Sequence, residues 1–245
     1  MGVRAACALL VILSASFGHA AADPPARFRE GNDLFRAGDV PKAIEAYRDV
    51  AMSGAESASL YWNWAAAALS RGHSGEALWA LLRGREIEPG DRALSREIER
   101  LREAANLDPA EIAPVPLAAV RRLGRRFHLD LVSVALLAGS VILHALARRA
   151  LGPGRLSIAA DLTLGLGVLV AAVPLAGAFA QPTAAVVQAG APLLDAASPT
   201  ASTIGTLREG EVVVVLAESE GYLRIEDSSG ARGWASTESV RSVSR

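Results

Sequence analysis

The sequence predicts a multidomain protein that joins an all-α helical repeat, a pair of membrane-spanning helices and a small all-β barrel. Three patterns support this fold class. Similar residues recur 34 positions apart near the N-terminus, two long apolar runs occupy the middle, and short strand-like runs alternate with turns towards the C-terminus. The composition agrees, because 51% of the 245 residues are hydrophobic but only 5% are aromatic. An excess of Ala, Leu and Val suits lipid-facing and helix-packing surfaces better than one large soluble core.

The overall charge and the cysteine content exclude several classes of protein. A formal net charge of −1 disfavours nucleic-acid binding, because domains that bind nucleic acid are usually strongly basic. The single cysteine, Cys7, excludes a disulfide framework and a cysteine-based metal cluster. The sequence contains no G-x-x-x-x-G-K, H-E-x-x-H or G-x-S-x-G motif, and its four histidines are scattered. We therefore predict a non-catalytic protein with no cofactor and no metal.

Residues 1–22 are typical of a secretory signal peptide. Arg4 supplies a positive start, and the apolar run 5–17 is too short to cross a bilayer as a helix. The alanines at 20–22 offer a small-residue cleavage site, and Cys7 lacks the sequence context of a lipoprotein. Cleavage would leave the mature N-terminus outside the cytoplasm, whereas an uncleaved anchor is the alternative.

Residues 23–107 carry the helical repeat. Four pairs of similar residues are separated by 34 positions: Gly38 and Gly72, Ala43 and Ala77, Ile44 and Leu78, Tyr47 and Leu81. This period, with small residues at fixed positions, is the signature of the tetratricopeptide repeat (TPR), a helix–turn–helix unit. We expect two such units, with Asp39 and Ser74 capping their second helices. An amphipathic helix over 92–106 is expected to cap the end of the pair.

The first helix of each TPR unit lines a concave groove that can hold an extended peptide or a partner helix. Asn32, Arg36 and Trp62 stand at these positions, and we interpret them as the partner-binding residues. The alternative is that they belong to the ordinary core and surface. Trp64 and Trp79 are expected to pack between helices.

Two apolar runs, 129–147 and 158–180, are each long enough to cross a bilayer as a helix. The connection 148–157 is short and contains three arginines, so the positive-inside rule places it in the cytoplasm. Both flanking domains would then lie in the periplasm, with the spans in the bacterial inner membrane. His144 and Asp161 lie within the spans and leave open an ion-conducting or transport subunit as a third class of protein.

Residues 108–128 are predicted to form a basic linker before the first span. The linker contains four arginines that would lie on the outer side, against the positive-inside rule: Arg121, Arg122, Arg125 and Arg126. As an alternative, the segment lies along the lipid headgroups as a short amphipathic helix, with Leu123 and Phe127 inserted.

Residues 182–245 are predicted to form a small barrel of about five strands. The stretches EVVVVLAE, YLRIED and RGWAS are short, rich in β-branched and aromatic residues, and bounded by turn residues. Their order resembles bacterial SH3-like domains, whose motif positions correspond here to Gly210, Gly221, Gly233 and Trp234. Tyr222 replaces a more usual tryptophan. The resemblance implies binding of peptides or peptidoglycan on a surface lined by Tyr222 and Trp234; alternatively, both aromatics close the core.

The order of all these segments resembles the BatE family of the aerotolerance (Bat) operons. The second repeat carries the closest likeness, in Tyr61, Gly72, Ala77, Arg83, Pro89, Gly90 and Asp91. The resemblance implies a role beside von Willebrand A-domain Bat proteins and a MoxR-type ATPase. Our first hypothesis is therefore a membrane-anchored scaffold that holds a partner protein in its TPR groove. The alternative is an envelope sensor that binds peptidoglycan or peptide through the SH3-like domain.

Overall fold

The computed structural model describes residues 23–149 and 155–243, which contain nine helices and seven strands. The signal peptide predicted at 1–22, with Cys7, lies outside the described residues. The centre of the predicted cytoplasmic loop, 150–154, also lies outside them. The chain divides into two compact units, and the division falls after residue 56.

The first unit is a helical hairpin made of α1 (Pro24–Arg36) and α2 (Val40–Met52). The turn between the helices places Gly38 at φ +84°, a left-handed conformation that favours glycine. Asp39 caps α2 as predicted, because its carboxylate accepts a hydrogen bond from the backbone N–H of Lys42 at 3.5 Å. Tyr47 packs on Gly31 so closely that a Cβ there would lie 2.7 Å from the ring.

The second unit begins with another hairpin, followed by one more helix: α3 (Ala58–Ser70), α4 (Ser74–Ile87) and α5 (Arg92–Ala104). The first residues of α3 and α4 lie 34 positions after those of α1 and α2, in step with the sequence repeat. The cap predicted at Ser74 is wrong, because His73 occupies the N-cap position. The Ser74 hydroxyl instead donates to Glu209 at 2.8 Å. The amphipathic helix predicted over 92–106 is confirmed as α5, which buries Leu94, Ile98 and Leu101.

Three aromatic rings form the centre of the second hairpin. Tyr61 and Trp64 stack with ring centroids 6.1 Å apart, and Trp79 meets both edge-on, at 5.7 and 5.0 Å. Edge-to-face pairs at these separations stabilise a core beyond the area they bury. Trp64 and Trp79 therefore pack between the helices, as the sequence predicts.

The segment predicted as a linker, 108–128, contains two helices, α6 (Pro109–Ile112) and α7 (Pro116–Arg126). Two long helices follow: α8 (Leu129–Arg149) and α9 (Arg155–Ala178). By length and composition, α8 and α9 could cross a membrane, over Leu129–Arg148 and Ser157–Ala178.

Glycines allow close contacts among α7, α8 and α9. A Cβ on Gly167 of α9 would lie 3.1 Å from Leu137 of α8. A Cβ on Gly177, near the end of α9, would lie 2.8 Å from the Cα of Arg121 in α7. Because nothing larger than glycine fits at Gly177 without displacing backbone, α7 is fixed directly against the end of α9.

The C-terminal segment forms a β domain of seven strands rather than about five. They are β1 (Thr183–Val186), β2 (Pro192–Leu194), β3 (Thr203–Thr206), β4 (Val212–Ser219), β5 (Tyr222–Glu226), β6 (Arg232–Ser236) and β7 (Val240–Ser242). They pair in the order β3-β2-β6-β5-β4-β1-β7, and every pairing is antiparallel. The additional strands have only three or four residues and lack an alternating pattern, so the sequence did not reveal them.

The core of the β domain is small and aliphatic. Its buried members are Ala184, Val186, Ala191, Leu193, Leu207, Val213, Leu223, Ile225, Ala235 and Val240. Gly233 packs so tightly on this core that a Cβ would lie 2.6 Å from Leu193. The glycine is therefore required by close packing.

Candidate functional site

Tyr222 and Trp234 lie on neighbouring strands of the β domain and on the same side of the sheet. In the β5–β6 ladder, Tyr222 is opposite Ser236, and Arg224 is opposite Trp234. Residues directly opposite each other in an antiparallel pair point to the same face. The two aromatic residues therefore share one surface with Arg224, and β2 adds Leu194 opposite Trp234. We call this surface, made of Leu194, Tyr222, Arg224 and Trp234, the open face.

The open face lies away from the core of the β domain. Strand residues alternate between two faces, and Leu223 and Ile225 of β5 belong to the core, as does Ala235 of β6. Tyr222 and Trp234 are both partly exposed. Neither aromatic is a member of the buried aliphatic core.

The opposite part of the β domain packs on helix α4. The Trp79 indole N–H donates to the Ser242 carbonyl at 2.9 Å, and the Arg83 guanidinium donates to the Val243 carbonyl at 2.9 Å. Gly75 lies against β1, where a Cβ would approach the Val186 carbonyl oxygen to 2.7 Å. These contacts use β1, β7 and the residue after β7, so they leave the open face uncovered.

Glu76 is the electrostatic centre of this interface. Its carboxylate accepts hydrogen bonds from the Trp64 indole N–H at 3.1 Å and from the Arg241 guanidinium at 2.7 Å. Arg241 also lies over the Trp79 ring, 5.1 Å from the centroid, in a cation–π contact. Burial opposes ionisation of Glu76, but Arg241, the Trp64 hydrogen bond and His73 outweigh it and lower the pKa of this carboxyl.

The loop between β3 and β4 forms the second part of the interface. The Glu209 carboxylate accepts from the backbone N–H of Gly75 at 2.7 Å. The Arg208 guanidinium donates to Glu111 of α6 at 2.6 Å and to the Asn106 carbonyl at 2.7 Å. Gly210 has φ +83°, and a Cβ there would lie 3.0 and 3.1 Å from two leucines of the helical part. Helices α4 to α6 and the β domain therefore form one packed body.

A cleft of about 470 Å³ opens along this interface. Trp79 and Arg241 form one part of its lining, and Glu218 and Leu223 form another. The cleft is not predictable from local sequence patterns, because its lining comes from two segments that were predicted to be separate domains. No local signal connects Trp79 with strands that lie beyond both long helices in the sequence.

The arginines of α7 contact the helical part of the second unit. The buried Glu86 carboxylate lies 3.1 Å from Arg121, 3.4 Å from Arg122 and 3.6 Å from Arg125, and Arg125 also donates to the Glu86 carbonyl at 3.0 Å. The fourth arginine, Arg126, lies over the Phe127 ring. One carboxylate therefore fixes α7 on the end of α4.

The predicted groove residues fall into the two separate units. Asn32 accepts a hydrogen bond from the Tyr47 hydroxyl at 3.0 Å, and Arg36 forms an exposed ion pair with Asp33 at 2.8 Å; both belong to the first unit. Trp62 belongs to the second unit and is 38% exposed. Asn32 thus has a structural partner within its own hairpin, whereas Trp62 presents an aromatic surface.

His144 and Asp161, the ionisable residues singled out within the apolar runs, lie close together on the two long helices. The His144 Nε2 and the Asp161 Oδ1 are 3.2 Å apart, and His144 Nδ1 is 3.0 Å from the Ser140 carbonyl. This pair ties α8 to α9. Within residues 23–149 and 155–243, no group of three or more His, Cys, Asp or Glu side chains is arranged to hold a metal ion.

Comparison with known families identifies the β domain. Residues 187–242 match the family described as the bacterial SH3 domain. The match covers β2 to β7 and includes both aromatic residues of the open face. No curated protein and no solved structure matches the chain.

Proposed function

We propose that this protein is a non-catalytic, membrane-anchored binding protein of the bacterial cell envelope, whose SH3-like domain holds a peptide or peptidoglycan ligand on the open face. The observation that carries the proposal is the position of Tyr222 and Trp234. They are partly exposed on the face of a bacterial SH3 domain that the docked helices leave uncovered. Aromatic side chains supply large, rigid contact areas at binding surfaces.

Membrane anchoring is proposed for α8 and α9, with their connection in the cytoplasm and the flanking domains in the periplasm. Helices α4 to α6, before the first span, contact the β domain that follows the second. Two spans return the chain to its starting side, so this contact fits a hairpin that crosses the membrane twice. The proposed topology places the arginines of α7 in the periplasm, against the positive-inside rule. Their contact with the Glu86 carboxylate gives them a structural role that is independent of this rule.

The ligand proposal is tested with the full-length protein in detergent micelles, sedimented with purified peptidoglycan sacculi. We expect Trp234→Ala and Tyr222→Ala each to reduce co-sedimentation about tenfold or more, because buried aromatic anchors dominate binding energy. Trp62→Ala is the matched control, since it removes an exposed aromatic outside the β domain. Equal sedimentation of wild type and both open-face variants would contradict the proposal.

A second candidate function is the scaffold of our first hypothesis, a TPR-type groove that holds a partner protein of the Bat complex. Two hairpins whose helices begin in step with the sequence repeat support it, as does the exposed Trp62. The chain is co-produced with a von Willebrand A-domain Bat protein, cross-linked in membranes and isolated. Trp62→Ala is expected to abolish the cross-link, and Tyr222→Ala is expected to preserve it. Trp62 is a better test than Asn32, whose hydrogen bond to Tyr47 makes any variant structurally ambiguous.

A further inference from the structure

A pocket of about 400 Å³ lies where α7 meets the ends of the two long helices. Its basic lining residues are Arg121, Arg125 and His128, and its acidic lining residue is Asp130. Its apolar part includes Pro174 and Ala178 from the last turns of α9. The pocket therefore opens at the level where apolar helices end and charged residues begin, which in a bilayer is the headgroup region.

Positive charge exceeds negative charge around this pocket. Three arginines of α7, Arg121, Arg122 and Arg125, surround the Glu86 carboxylate, and Asp130 is the acidic residue that lines the pocket. Glu86 is already shared by three of the arginines, so it cannot fully neutralise them. Arg125 and His128 are exposed and can reach a further anion. The adjoining Arg85 is partly buried, and this burial, with the charge of Arg122, lowers the pKa of Arg85 to about 10.

Exposed apolar residues also lie on α7 and at the start of α8, next in sequence to residues that line the pocket. Leu123 is 48% exposed on α7, Phe127 is 54% exposed directly after it, and Leu131 at the start of α8 is 65% exposed. Exposed apolar residues beside cationic ones are typical of a helix that lies at a membrane surface. A phospholipid presents the matching pair, an anionic phosphate above an acyl chain.

The wall of the pocket is fixed by close backbone contacts. A Cβ on Gly177 would lie 2.8 Å from the Cα of Arg121, and one on Gly124 would lie 3.8 Å from Pro174. His128 adopts φ +49° at the turn between α7 and α8, so the chain changes direction at the pocket. The site is therefore formed by packed elements and does not depend on a free loop.

We propose that this pocket binds the phosphate of an anionic phospholipid, with the acyl chains along Pro174 and Ala178 at the end of α9. The inference rests on the proposed membrane anchoring by α8 and α9. Arg125 and His128 would contact the phosphate, and Arg121 would support Arg125 through their shared partner, Glu86. A bound lipid would hold α7, and with it the base of the globular part, at the membrane surface.

Native mass spectrometry of the full-length protein in detergent tests the proposal, with phosphatidylglycerol and phosphatidylcholine of identical chains as probes. We expect phosphatidylglycerol adducts to dominate for the wild type. A basic residue near an anionic surface contributes about 1 kcal/mol, so Arg125→Gln with His128→Gln should weaken phosphatidylglycerol binding at least about fivefold. Arg148→Gln removes one exposed charge at the other end of α8 and should leave binding unchanged.

A second variant, which preserves the charges of the pocket, distinguishes loss of lipid binding from loss of folding. Ala178→Trp fills the pocket sterically and is expected to reduce phosphatidylglycerol adducts while the circular dichroism spectrum stays the same. Equal binding of the two lipids, or equal loss in Arg148→Gln, would overturn the proposal. If the two lipids bind equally and millimolar inorganic phosphate displaces them, the pocket is a site for the free ion, and the proposal is overturned. Extraction of the chain from membranes by alkaline carbonate would contradict the proposed anchoring. This outcome is independent of which lipid the pocket prefers, so the two proposals can fail separately.

Discussion

Helices α2 and α4 occupy the same place in the 34-residue repeat, but their surroundings differ. In α2, five of thirteen residues are buried, whereas in α4 eleven of fourteen are buried. The equivalent pairs are Lys42 and Glu76, Glu45 and Trp79, and Asp49 and Arg83. The members in α2 have exposed or half-exposed charged side chains, and those in α4 contact the β domain. The repeat thus specifies a helical hairpin, and three positions that the repeat leaves variable specify whether a second domain packs on it.

The largest loss of stability is expected when Trp79 of α4 is replaced by glutamate, the residue at the equivalent repeat position of α2, Glu45. Trp79→Glu removes the indole that packs on Tyr61 and Trp64 and loses the hydrogen bond to Ser242. Truncating a buried aromatic costs about 3–5 kcal/mol, and an unpaired carboxylate adds to that cost. The free energy of unfolding is measured by urea titration with near-UV circular dichroism. Glu45→Ala, the matched change in α2, should stay within about 0.5 kcal/mol. A small loss of stability in Trp79→Glu would show that the docking of the β domain on α4 does not depend on the Trp79 ring.

A smaller effect is expected from the Glu76–Arg241 ion pair. The pKa of Glu76 is lowered in the folded protein, from an ordinary value of 4.5, so the ionised carboxylate stabilises the fold above that value. This stability is lost as the pH falls through the lowered pKa, when the carboxyl becomes protonated. Glu76→Gln should therefore cost about 1.5–3 kcal/mol at pH 7, and the difference from wild type should shrink in acid.

The pH series is measured by urea titration from pH 7 to pH 3 on both proteins. Other carboxylates, such as Glu97, also have a lowered pKa, but they are common to both proteins and cancel in the difference. A difference between wild type and Glu76→Gln that stays constant across this range would contradict the assigned role of the ionised carboxylate.

The smallest effect is expected at Asp49, the counterpart of Arg83 in the first hairpin. Asp49 pairs with Arg27 at 2.6 Å near the surface, so Asp49→Ala should cost about 0–1 kcal/mol. Arg83→Ala should cost about 1–3 kcal/mol, because it leaves the Val243 carbonyl unpaired at the interface. The stability lost in each variant is measured by thermal unfolding. Equal losses of stability would show that the two repeat positions contribute equally to the fold.

Local patterns in the sequence predicted most elements of the fold. The 34-residue period located both hairpins, and the apolar runs located α8 and α9 within two or three residues at each end. The β-branched and aromatic residues of YLRIED and RGWAS, bounded by turn residues, located β5 and β6, and the resemblance to bacterial SH3-like domains indicated the aromatic residues of the open face. These signals succeed because each depends on residues that are close in sequence.

Contacts between distant segments were not predictable in the same way. Ser74 has the chemistry of a helix cap, but Glu209 lies beside its hydroxyl and accepts its hydrogen bond instead. The arginines of α7 suggested a linker or a headgroup contact, because no pattern near them indicates that Glu86 is buried opposite them. In both cases a tertiary partner from a distant part of the chain determines the role of the side chain.

The docking of the β domain on α4 has a consequence for how the protein is made. The globular body of the second unit is assembled from two stretches of chain, and the proposed spans are an insertion between them. For a chain anchored as proposed, this interface can close only after both spans have been synthesised and both ends have reached one side of the bilayer. A chain in which one span failed to insert would leave Trp79 and the Glu76 carboxylate without their partners. The proposed anchoring would thereby link membrane integration to globular folding, and a misinserted chain would remain incompletely folded and open to proteolysis.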